Sequence, residues 1–249
     1  MSTYHSYNLC IKEEHFFNNG KIMLKSLGSL EGDIRKALNK RISVQGVTRN
    51  SKGGPSYTGI SAKDLNNVLR NNMAVIPNIN GETHVKNGVF FSVSKEGFDF
   101  SLYDKDYNFS RLYNYYVGAT GIMNGEQRII DDLSKKERGG RTKRDWKKLI
   151  EARKNALGGY NIDYNIDKSS LTVVGELQFG NWALAYRDII RLLNANANPG
   201  IDFYIYITAT GRLHSLLSAQ TVFYDQICSI MYENAALIQV PAWIIGLDI

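Results

Sequence analysis

The chain has few cysteines, few prolines and no long apolar stretch, and each scarcity excludes a class of protein. Only two of its 249 residues are cysteine, Cys10 and Cys228. So far apart in the chain, they build neither a disulfide framework nor a four-ligand zinc site. They fit a thiol-reduced, cytoplasmic protein. No run approaches the roughly 18 apolar residues of a membrane-spanning helix. The opening MSTYHSYNLCIKEEHFF lacks the basic-then-apolar order of a secretory signal. The four histidines, His5, His15, His84 and His214, are scattered without metal-ligand spacing. Aromatics are plentiful, with 15 Tyr, 10 Phe and 3 Trp, which excludes disorder for most of the chain. A chain of this length can bury a full core as a single domain spanning 1–249.

The net charge is +6, and it is concentrated. Lys135 to Lys154 holds ten basic residues against Glu137, Asp145 and Glu151, so this segment carries +7 and the remainder about −1. Such a cluster fits a polyanion, because each phosphate neutralised by Lys or Arg releases counterions. A solvated helix face is the competing reading. Within the segment, Lys143, Arg144, Lys147 and Lys148 are the candidate phosphate contacts, on a helix expected over 142–157.

The apolar spacing predicts a helix within 20–40, with Ser29 as N-cap and Leu30, Ile34, Ala37 and Leu38 on one face. Residues 42–60, with Gly46, Gly53, Gly54 and Pro55, read as a loop. Ser61 caps a second helix, with Asp64 at capping-box spacing. Residues 85–117 read as strands or a hairpin, and 85–140 as a possible insertion. The tyrosines Tyr103, Tyr107, Tyr113, Tyr115 and Tyr116 could stack on bases, but aromatic core or interface packing is the stronger reading. Downstream, strands at 171–179 and 201–207 alternate with helices at 182–194 and 212–232. A last strand within 236–249 contains Pro241 and is expected at an edge or bulge. That alternation indicates an α/β fold with a mixed central sheet flanked by helices.

The residues richest in chemistry lie at Asp167 and in Glu176-Leu177-Gln178-Phe179-Gly180-Asn181. In a strand, Thr172, Val174, Glu176 and Gln178 share one face, and Val173, Leu177 and Phe179 share the other. The second set is core. The first places a carboxylate and an amide on a buried strand, which is costly unless they are paired or metal-bound. Two carboxylates converging from Asp167 and Glu176 would suit magnesium, which takes oxygen ligands and can shield charge developing on a phosphodiester. Alternatively, Glu176 and Gln178 simply face solvent. Asp163 is a rival first ligand, and Glu151 a candidate outer carboxylate.

The run from Asp167 resembles the BglII/BstYI family of type II restriction endonucleases, within the PD-(D/E)XK nuclease superfamily. The family pattern is Asp, eight residues, then Glu-x-Gln-Phe-Gly, with Gln in place of the superfamily lysine. Further similarity lies in Ala185-Tyr186-Arg187-Asp188, Ile201-Asp202 and Val240-Pro241-Ala242-Trp243-Ile244-Ile245-Gly246. The resemblance implies a restriction-endonuclease-like core with a mixed sheet. It implies Asp167, Glu176 and the Leu177 carbonyl as Mg2+ ligands, and Gln178 orienting the attacking water. It implies magnesium-dependent cleavage of double-stranded DNA at a short palindrome by a homodimer, leaving 5′-phosphate and 3′-hydroxyl ends. A cognate methyltransferase would be its genetic partner in a prokaryotic cytoplasm.

For base contacts the resemblance singles out Asn181 and the neighbourhood of Ser218, Ala219, Gln220 and Thr221. Asn and Gln amides suit adenine, and Ser or Thr adapt to several bases. A helix cap at Asn181 and an ordinary polar helix face at 218–221 remain open. Three rival functions also stand: a nuclease for modified or structured DNA, a non-catalytic DNA-binding protein, and an α/β protein with a basic face.

Overall fold

The computed structural model describes residues 3–50, 56–86, 88–92, 97–119, 148, 151–152, 162–196 and 200–249. Its frame is a five-stranded mixed sheet in the order β2 (Cys10–Phe17), β10 (Ala242–Asp248), β9 (Phe203–Ala209), β8 (Val173–Leu177), β7 (Phe100–Leu102). The three central strands are parallel, and both edge strands run antiparallel to their neighbours. Every residue of β8 and β9 is buried. That fits their near-continuous apolar runs, which suit strands covered on both faces.

Two clusters sandwich the sheet. One face packs Val173, Leu177 and Phe179 with α2 (Leu30–Leu38) and α3 (Ala62–Met73). The other packs Val174 and Tyr204 with α5 (Ala183–Asn196) and α7 (Tyr224–Glu233). The expected alternation along β8 therefore holds. Its second face looks onto helices rather than solvent.

The helix expected within 20–40 forms as α1 (Gly20–Lys25) and α2, and Leu30, Ile34, Ala37 and Leu38 are its buried residues. Ser61 caps α3, accepting the Asp64 N–H at 3.3 Å. Three expectations need correction. Residues 42–50 and 56–60 are strands rather than loop, and 51–55 lie outside the described residues. β3 (Arg41–Asn50) pairs with β1 (Tyr4–Asn8) and with β4 (Ser56–Ile60). The period-two pattern of buried Ile42 and Val44 outweighs the glycines.

The second correction concerns 212–232, which splits into α6 (Gly211–Leu216) and α7 because Leu217 and Phe223 adopt extended backbone. The third concerns Pro241, which precedes β10 rather than interrupting it. β10 is consequently an inner strand, with a register irregularity only at Gly246/Leu247.

Residues 83–119 supply β5 (Thr83–Lys86), β6 (Val89–Ser92), β7 and α4 (Lys105–Val117), so the strand expectation holds for only part of them. Tyr113 is fully buried, and Tyr103 stacks on Phe90 with ring centroids 4.8 Å apart, which makes these rings packing groups. Lys143, Arg144, Lys147 and most of the helix expected over 142–157 lie outside the described residues. Lys148 is described and exposed. No described helix is long and apolar enough to cross a membrane.

Candidate active site

β7 begins at Phe100, opposite Gly175, so the end of β8 has no neighbouring strand on that edge. A cleft of about 330 Å3 opens there. Glu176, Leu177 and Gln178 form its floor, α3 lines one side with Lys63, Asn66 and Arg70, and α5 lines the other with Leu184, Arg187 and Arg191.

Glu176 is only 3% exposed and is ion-paired with Arg191. Asp99, just before β7, accepts the Leu177 N–H at 2.7 Å, and Arg70 holds it from the other side. Arg70 also pairs with Glu82 at 2.8 Å. Burial pushes the Glu176 carboxyl well above its ordinary range, with Asp188 and Asp99 adding to the rise. Glu82 and Asp188 are raised too, again chiefly by burial.

The Gln178 amide is anchored at both ends. Its Nε2 donates to Asp188 at 2.8 Å, and its Oε1 accepts the Gly180 N–H at 2.9 Å. Asp188 is fully buried and also meets Arg187 at 3.1 Å and Arg191 at 3.4 Å.

Sequence spacing pointed to Asp167 as the partner of Glu176, but the structure does not bring the two together. Asp167 is exposed and lies on a strap held along α4. Asn114 binds the backbone of Tyr164 on one side of it, at 2.7 and 2.9 Å. On the other side, Asp104 binds the Ser169 N–H at 2.9 Å and its hydroxyl, and Lys168 pairs with Asp202. The Ser169 and Lys168 anchors sit at the start of β8, where Asp202 also accepts the Thr172 N–H at 2.6 Å, whereas Glu176 is near its end. Asp163 is on the same strap, near Gly118. The carboxylate that reaches Glu176 is Asp99, 77 positions earlier in the chain. Its sequence signal was a single acid within the short alternating segment Phe98-Asp99-Phe100-Ser101-Leu102.

The donor set fits a hard divalent cation. Asp99 and Glu176 offer two carboxylates from adjoining strands. The Leu177 N–H faces Asp99, so its carbonyl faces the same edge. Among the described residues no three His, Cys, Asp or Glu side chains converge as a ready-made metal cage, so a backbone oxygen would have to complete the set.

Beyond the cleft, Asn181 forms an isolated bridge with Thr221, and the Trp182 N–H donates to the Gln220 carbonyl at 2.8 Å. The candidate base contacts are thus gathered beside the end of β8. Asn181, Ala219 and Gln220 are exposed, Ser218 is half-buried, and Thr221 is buried at 3%. The Asn181 Oδ1 also accepts the Ala183 N–H at 2.9 Å, in a capping role.

A model of a family of type II restriction endonucleases matches this chain over residues 12–247. The chain belongs to that family, described as restriction endonuclease BglII/BglIII. Among solved structures it is similar to one titled "Crystal structure of restriction endonuclease BGLII complexed with DNA 16-mer". That match has a TM-score of 0.49 and 11% identity, and covers 95% of this chain and 78% of the other. No curated protein matches.

Proposed function

We propose that this restriction endonuclease cuts double-stranded DNA at a short palindromic site by Mg2+-dependent hydrolysis, leaving 5′-phosphate and 3′-hydroxyl ends. The observation that carries the reading is the placement of Asp99 beside Glu176 on the floor of an open cleft. In this reading Asp99, Glu176 and the Leu177 carbonyl hold the metal, and Asp167 stays on its strap as a surface residue. Bound there, Mg2+ supplies a Lewis acid that shields charge developing on the phosphodiester and promotes ionisation of water.

The chain's own residues do the rest. Arg191 supplies the counter-charge that keeps Glu176 in place. Each internal bond of the Gln178 amide leaves it one hydrogen and one lone pair free, and these orient the attacking water. Asn181, Ser218, Ala219 and Gln220 read base edges, with Thr221 fixing their loop from below. Lys143, Arg144, Lys147 and Lys148 contact phosphates, which sets position rather than sequence. The protein works as a cytoplasmic homodimer whose two-fold axis matches the palindrome, alongside a cognate methyltransferase.

The test is digestion of unmethylated phage DNA with and without Mg2+, with the fragment ends sequenced. Discrete, metal-dependent fragments sharing one palindrome are expected. Binding without cutting would overturn the reading in favour of a non-catalytic DNA binder. Cutting confined to modified or branched substrates would move the protein to a different nuclease task.

A further inference from the structure

We propose that Lys63 and Arg187 form a phosphate clamp over the floor of the cleft, gripping the backbone of the DNA strand that lies across Glu176. The inference rests on the function proposed above and adds a phosphate-binding site in the described cleft. It comes from the cleft's charges. Four cations line it: Lys63, Arg70, Arg187 and Arg191. Two are committed to the floor, Arg70 to Asp99 and Glu82, and Arg191 to Glu176.

The other two keep donors to spare. Lys63 is exposed and forms no ion pair with any described residue. Arg187 donates to Asp188 Oδ1 through Nε at 3.4 Å and Nη2 at 3.1 Å, and its Nη1 forms no ion pair with any described residue. The Arg187 side chain is 53% exposed at the rim. The free Nη1 can meet a phosphate oxygen while the other edge of the guanidinium stays on the buried carboxylate.

Placement matches the charges. α3 packs on one face of the sheet and α5 on the other, so Lys63 and Arg187 flank the open edge of β8 from opposite sides. A phosphodiester crossing that edge would meet a guanidinium fork on one side and a compact ammonium on the other. Those two groups suit non-bridging phosphate oxygens.

The experiment measures binding of a short random-sequence duplex without divalent metal, over a range of salt concentrations. It compares the wild type with Lys63→Met, Arg187→Met and the double variant. Each single change is expected to reduce the slope of log affinity against log salt by about 1, and the pair by about 2, equally for unrelated sequences. Lys63→Arg and Arg187→Lys should retain the slope, and so should Lys25→Met on α1, outside the cleft. Lys63→Met should leave the melting temperature unchanged, whereas Arg187→Met should lower it because the buried Asp188 loses a partner, and circular dichroism checks that each variant is folded at the assay temperature.

Unchanged slopes in folded Met variants of an enzyme that still cuts DNA would overturn the clamp and leave the proposed function standing. If the wild type neither binds nor cuts DNA, both fail together. An equal slope loss in Lys25→Met would also overturn the clamp, showing a diffuse surface charge instead.

Discussion

Asp99 receives the Leu177 N–H at 2.7 Å across 78 positions of chain, beside the buried carboxylate of Glu176. This long-range contact, rather than the local spacing after Asp167, sets the acidic pair of the cleft. Asp99→Asn should therefore abolish Mg2+-dependent cutting, while Asp167→Asn should cut at close to the wild-type rate. Time courses on phage DNA at equal enzyme concentration check both. The reverse order of effects would return the ligand role to Asp167.

Glu176 should trade stability for activity. Its carboxyl is held above the ordinary value of 4.5 by burial and by Asp188 and Asp99. A carboxyl raised in the folded state carries no penalty below 4.5 and costs stability as the pH rises through its folded value. The charge-free Glu176→Gln should therefore melt higher than the wild type in metal-free buffer, with a gap that opens from pH 4 towards pH 8. The same variant should not cut. Thermal melts across that range are the measurement.

Asp188 ties together Gln178, Arg187 and Arg191 while fully buried. Asp188→Ala leaves the buried Gln178 amide without its acceptor, while Arg191 keeps Glu176, and should cost about 1–3 kcal/mol in urea denaturation. Asp188→Asn still offers an acceptor and should cost less.

Asp104 shows the opposite pH dependence. It caps α4 by accepting the Asp106 and Tyr107 N–H groups at 2.9 Å, and it binds the Ser169 hydroxyl and backbone. These bonds, with Ser169 foremost, lower its carboxyl to about 2. Its stabilisation is present above the ordinary value of 3.8 and disappears on acidification through about 2. Asp104→Ala should lose about 1 kcal/mol at neutral pH, the usual cost of a lost cap. That deficit should vanish in acid.

Gly175 is required for close approach. A Cβ there would lie 2.1 Å from Phe100 Cζ across the β7–β8 ladder. Gly175→Ala should cost about 1–3 kcal/mol through overpacking, and it should reduce cleavage by shifting the strand that carries Glu176.

Local signals in the sequence were read well where one element decided its own fate. The apolar face of α2, the cap at Ser61 and the alternation along β8 all followed from spacing. Glu176, Gln178 and Asn181 came from one contiguous stretch and its resemblance to a family. Asp99 was missed because only the pairing of β7 with β8 brings it to Glu176, and register between distant strands leaves no mark in local spacing. Arg70 and Arg191 were missed for a related reason. Each looks like an ordinary helix-surface cation until the opposing carboxylate is placed. The strands at 41–50 and 56–60 were obscured by glycines whose turn signal outweighed two buried β-branched residues.

The Thr208 hydroxyl lies 2.8 Å from the Gln178 carbonyl and 3.0 Å from that of Val222, and the Val222 N–H donates to the Gly180 carbonyl at 3.0 Å. The loop bearing Ser218 to Thr221 and the strand bearing Glu176 are thus pinned at a shared joint. If that loop senses base identity, a mismatched base pair that displaces it also tilts the strand that does the cutting. Fidelity would then be mechanical: a poorly fitting sequence would be held but left intact, and Thr208→Val would loosen the joint and yield a sloppier enzyme that nicks near-cognate sites.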